Sequence, residues 1–76
     1  MNNERRKEIA RIIGELQQLQ SDIENVLGEE QDAFDNMPEG LQQSDRGQAA
    51  ENAIDELESA TSAVEEAVSA LENAKE

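Results

Sequence analysis

The sequence predicts an all-α fold: an antiparallel two-helix hairpin of coiled-coil character that dimerises into a four-helix bundle. Three observations carry this prediction. Large apolar residues recur at alternating intervals of three and four in both halves of the chain. A single break, Asn36-Met37-Pro38-Glu39-Gly40, separates the halves. The 76 residues include 17 Ile, Leu, Val, Met and Phe, more apolar surface than two lone helices cover on each other, and there is no cysteine to staple them.

The first element is a helix over residues 4–35. Ile9, Ile12, Leu16, Leu19, Ile23 and Val26 follow one another at intervals of 3, 4, 3, 4 and 3, the seam of a heptad helix. Ile13, Leu27 and Phe34 widen that stripe on one side, which suits a bundle better than a two-stranded seam. Gly14 and Gly28 are interior to this helix and cost roughly 1 kcal/mol each against Ala; close helix contact or mild flexibility accounts for them.

The hinge spans residues 36–44. Pro38 drives Met37 away from helical angles, and Gly40 permits a tight reversal. The next helix covers residues 45–75, with Ser44 or Asp45 as its N-cap and Asp45 and Gln48 at capping-box spacing. Gly47 falls in its first turn, where a glycine costs little. This helix repeats every seven residues from Ala53. Its apolar face reads Ile54, Leu57, Thr61, Val64, Val68 and Leu71, with Ala53, Ala60, Ala67 and Ala74 on the flank and Glu58, Glu65 and Glu72 facing water. Two helices of about 30 residues, each ~45 Å long, with a short connection between them, fold back antiparallel. The expected bundle core is therefore Ile9, Ile12, Ile13, Leu16, Leu19, Ile23, Val26 and Leu27 with Ile54, Leu57, Val64, Val68 and Leu71.

Composition narrows the function classes. With no Cys and no His there is no disulfide framework, zinc finger, thiol nucleophile or imidazole base. Ser62 and Ser69 have no histidine to activate them, and the many carboxylates fall on outward helix positions rather than in a cleft. The expectation is a protein that is not an enzyme and needs no cofactor. No apolar run approaches the ~18–20 residues of a membrane span, and residues 1–7 lead into a mixed helix rather than a signal core, so one small soluble cytoplasmic domain is expected. High charge with one aromatic is also a signature of disorder; the heptads argue for order.

Nineteen acidic and six basic residues give a net charge of -13. They are unevenly placed. Residues 1–11 carry Arg5, Arg6, Lys7 and Arg11 against Glu4 and Glu8, a net +2, whereas the rest carries Arg46 and Lys75 against 17 acids, a net -15. Direct nucleic-acid binding is not expected of such a surface. The basic end opposes its helix dipole. It either pairs across the hairpin with Glu65, Glu66, Glu72 and Glu76 or forms a contact patch for an acidic partner. Glu29, Glu30, Asp32, Asp35 and Glu39 gather near the hinge, but their spacing does not match an EF-hand loop, and a solvated acidic helix end with no metal is the expected reading. Phe34, Asp35, Met37 and Leu41 form either an apolar plug at the bundle's end or a protein-contact knob.

The segment Glu29-Glu30-Gln31-Asp32-Ala33-Phe34-Asp35-Asn36-Met37-Pro38-Glu39-Gly40-Leu41-Gln42-Gln43-Ser44 resembles one in a group of very small acidic proteins of bacteriophages, prophages and mobile elements. There an acidic run leads into an aromatic, Asp-Asn-x-Pro-Glu-x-Leu-Gln and a Ser, followed by an Ala/Ile/Leu/Glu repeat. The resemblance covers residues 24–74, most sharply 29–46. It implies a phage origin and a host-takeover or anti-defence role, and it carries over no catalytic residues.

The leading functional expectation is a non-catalytic protein that binds and inhibits or remodels a host protein complex. One alternative is DNA mimicry. Fifteen net negatives on a ~45 Å hairpin give about one per 3 Å, and two hairpins about one per 1.5 Å, comparable with the ~1.7 Å of duplex DNA. A nucleotide-signal sponge built on Arg5, Arg6, Lys7, Arg11 and Arg46, and a structural assembly protein, are further alternatives.

Overall fold

The side-chain oxygen of Asn2 accepts a hydrogen bond from the Arg5 amide at 2.8 Å and so starts the first helix, α1 (Asn3–Asp35). In the computed structural model, which describes residues 1–76, α1 runs for 33 residues without interruption. It ends at Asn36, whose amide bonds back to the Asp32 carbonyl at 3.0 Å. The hinge is not all loop, as the sequence suggested. Pro38 N-caps a single helical turn, α2 (Glu39–Gln42). Gly40 lies inside that turn, and no glycine has a positive φ, so the reversal does not draw on Gly40's extra freedom. The Gln42 side-chain amide donates to the Phe34 carbonyl at 3.0 Å and ties α2 to the end of α1.

Ser44 then caps α3 (Asp45–Lys75), accepting from the Gly47 amide, while the Gln48 amide bonds to the Ser44 carbonyl at 2.9 Å. Of the two candidate caps, Ser44 is the one used. Asp45 sits in the first turn and Lys75 in the last, each favourable to the dipole. The glycine that matters is Gly47. It is buried, and a Cβ there would overlap the Gln42 carbonyl.

The chain is thus a pair of long antiparallel helices joined by one short turn, 58 Å long and only 15 by 12 Å across. Only Ile13, Gly47, Ala50, Ile54 and Val68 are buried. The covered stripe of α3 is the expected one: Ile54 and Val68 are buried, and Leu57, Thr61, Val64 and Leu71 are half-buried.

The covered stripe of α1 differs from expectation. It runs Ile9, Ile13, Leu16, Gln20, Ile23, Leu27, Glu30, Phe34 and Met37, all buried or half-buried. The intervals are again three and four; of the expected core residues Ile13 and Leu27 lie on it and Ile12 is half-buried beside it, but Gln20 takes a place in the seam and Leu19 and Val26 are left out. The two stripes share Ile9, Leu16 and Ile23, and a single partner helix covers only one of them. Leu19 stays 53% exposed and Val26 50%. Gly14 and Gly28 meet nothing within 4 Å, so neither marks a close helix approach.

Candidate protein-binding surface

The hairpin has two unlike broad faces. Helical geometry puts the row of residues 12, 19 and 26 beside 16 and 23, and the row 53, 60, 67 and 74 beside 57 and 64. Leu16, Leu19, Ile23, Val26, Leu57 and Val64, with Asp22 at the rim, line one open groove of about 350 Å³. This apolar face therefore carries Ile12, Leu19 and Val26 on α1 and the alanines Ala53, Ala60 and Ala67 on α3. The opposite face carries Gln17, Glu24 and Gln31 on α1 and Glu51, Glu58, Glu65 and Glu72 on α3, with all seven side chains exposed. Expected acidic-surface residues Glu58, Glu65 and Glu72 thus lie in one row, ~10.5 Å apart, seven residues of helix each. Glu29, Glu30 and Asp32 are elsewhere, at the end of α1, with Glu30 half-buried in the seam.

Polar groups cross between the helices at two points. At mid-seam, Gln20 donates to the Glu65 carboxylate at 2.9 Å, while the Thr61 hydroxyl donates to its own Leu57 carbonyl at 3.1 Å. At the open end, the Arg6 guanidinium donates to the Lys75 carbonyl at 3.0 Å and so caps the C-terminus of α3. Neither contact was expected. Gln20 was concealed because the neighbouring stripe through Leu19 is wholly apolar. Extending the seam to Phe34 and Met37 would have pointed to it.

The basic end does not pair with the α3 carboxylates. Arg11 instead bridges Glu8 and Glu15 within α1, the latter at 2.6 Å. These are the two ion pairs of the chain, and both are exposed. The Arg11 hydrogen bonds and charge hold the Glu8 carboxyl below its usual range, and Glu8 and Glu15 raise Arg11. The Glu8 contribution is present above the ordinary carboxylate range and fades as pH falls through its lowered value. Arg5 and Lys7 are exposed and form no ion pair.

At the hinge, Phe34 and Met37 are half-buried, Asp35 is exposed and Leu41 is 43% exposed. Met37, Pro38, Leu41, Ala33 and Asn36 line a shallow notch of about 360 Å³ with Arg46 on its edge. No group of three or more acidic side chains converges on a point that would hold a metal ion. No helix is long and apolar enough to cross a membrane. No protein-family model matches the chain, and neither a curated protein nor a solved structure does.

Proposed function

We propose that this chain is a non-catalytic binding protein that works as a four-helix bundle of two copies in the host bacterial cytoplasm. The bundle presents acidic outer faces and hinge ends to a host protein complex, which it inhibits or remodels. The observation that carries this reading is the two-faced hairpin, with Leu19 and Val26 half exposed on one broad face and Glu51, Glu58, Glu65 and Glu72 exposed on the other. Joining the apolar faces leaves the glutamate rows outermost, where a basic protein surface meets them. The resemblance of residues 29–46 to small acidic phage proteins is what makes a bacterial host protein the partner class.

DNA mimicry is the weaker reading. Two chains carry 26 net negatives along 58 Å, about one per 2.2 Å, sparser than the ~1.7 Å of duplex DNA.

Affinity capture from nuclease-treated host lysate, at low and high salt, tests the proposal. Wild type is compared with the triple variant Glu51→Gln, Glu58→Gln, Glu72→Gln, which leaves the Gln20–Glu65 hydrogen bond in place. Retention of a specific complex by wild type and its loss in the triple variant, with helicity and mass unchanged, is the expected result. No protein retained at any salt, or equal retention by the triple variant, overturns it.

A further inference from the structure

The apolar face states more than that a second copy binds; its two helices differ in a way that fixes how the copy is turned. The chain exposes 5434 Å². A compact monomer of 8.4 kDa exposes about 4,600 Å², so the excess is about 800 Å², one partner's share of a standard interface. Two orientations join apolar face to apolar face with twofold symmetry. With the axis across the helices, α1 lies antiparallel on the partner's α1. With the axis along them, each α1 lies on the partner's α3.

We propose that a second copy docks with the twofold axis parallel to the helices, so that the Ile12, Leu19 and Val26 row of α1 seats on the partner's alanine row. This rests on the four-helix bundle proposed above and assigns its geometry.

Size complementarity favours it. The α1 row carries large side chains, with Leu19 and Val26 half exposed and Ile12 half-buried, whereas the α3 row is alanine. Stacking α1 on α1 sets leucine against leucine on one side and alanine against alanine on the other, a wedge, whereas α1 on α3 fills every layer with one large and one small residue. Register agrees. An axis parallel to the helices leaves heights unchanged, so α1 meets the partner's α3 in the register it has with its own. Leu16 and Ile23 share the groove with Val64 and Leu57. The Gln20–Glu65 hydrogen bond sets the middle of α1 beside residues 60–66 of α3, so in that register Leu19 falls against the partner's Ala60 and the partner's Ala67.

Charge points the same way. The row outside Leu19 is Glu8, Glu15, Asp22 and Glu29, whereas the matching row of α3 is Ala49, Glu56, Ala63 and Ala70. Laying α1 on α1 would set acid row beside acid row; laying it on α3 faces that row with mostly neutral side chains. The unpaired Arg5 continues the Ile12 row and reaches the partner's α3 C-terminus, as Arg6 reaches its own.

The chain has no cysteine, so introduced thiols report the geometry directly. Leu19→Cys is made in one chain and Ala60→Cys, or in a second mixture Ala67→Cys, in the other; the chains are mixed by refolding together, checked for wild-type helicity and oxidised, since a disulfide forms only at close approach. The expected result is a cross-linked heterodimer from a mixture and none from any variant alone. Should Leu19→Cys weaken association, Val26→Cys with Ala53→Cys or Ala60→Cys repeats the test. Any variant cross-linking efficiently to itself, with neither mixture better, overturns the orientation and leaves the bundle standing. Wild type sedimenting as a folded monomer at about 100 μM, well above the micromolar range of a stable complex, overturns bundle and orientation together.

Discussion

Gly47 holds the turn together by what it lacks. Its Cα lies where any side chain would run into the Gln42 carbonyl, so α3 starts almost on top of the end of α2. Gly47→Ala gains helix propensity but must push two backbone segments apart, and overpacking of this kind costs about 1–3 kcal/mol. An unfolding free energy lowered by that amount in a denaturant titration is expected, and an unchanged or raised midpoint would show that the α2–α3 approach yields freely. Arg6 works at the other end of the rod. It satisfies the last carbonyl of α3 from a neighbouring helix, a job that no sequence spacing announces because the partners are 69 residues apart.

At the scale of the element, α1 and α3 are long helices with different defects. α1 carries Gly14 and Gly28 in its interior, both exposed and with open space where a Cβ would go. Nothing in the fold requires either glycine. Gly14→Ala and Gly28→Ala should each stabilise the hairpin by about 1 kcal/mol, and together raise the thermal midpoint by roughly 8 °C or more. A fall in the midpoint would mean that α1 needs the bend or contact that glycine allows. α3 has the opposite character. Its alanine row is favourable to helix and contributes little side-chain volume, so it leaves space for a neighbour rather than a core of its own. The mid-seam pair of Gln20 and Glu65 is the one side-chain to side-chain hydrogen bond between the long helices. It is exposed, with Gln20 half-buried at the seam and Glu65 on the outer row.

For the whole molecule, charge works against compactness. A net -13 is spread along a rod 15 Å by 12 Å in section, with two ion pairs to offset it, both at the basic end. Charges on facing helices lie within about 10 Å, the Debye length at 0.1 M ionic strength, so self-repulsion is strong in dilute buffer and screened by salt. The thermal midpoint should therefore rise between 10 mM and 500 mM NaCl, a range over which the Debye length shrinks from ~30 Å to under ~8 Å. A midpoint that fell with salt would show that ion pairs outweigh repulsion. In the proposed bundle, two copies would double the charge while both glutamate rows stayed outermost.

By itself the amino-acid order determined the all-helical class, a break between the long helices at Asn36–Pro38, the covered stripe of α3 and the separation of a +2 start from a -15 remainder. These follow from periodicity and composition, which are properties of a single helix or of the chain. It did not determine which of two stripes of α1 is covered. Ile9, Leu16 and Ile23 belong to both, and spacing of three and four is satisfied equally by Ile12, Leu19 and Val26 or by Ile13, Gln20 and Leu27. The choice is a rotation of α1 about its own axis. At the hinge Gln42 holds the Phe34 carbonyl, and at the open end Arg6 meets Lys75. Only the packed pair of helices holds that information. The same rotation turns Leu19 and Val26 outward, and the exposed apolar face is its consequence.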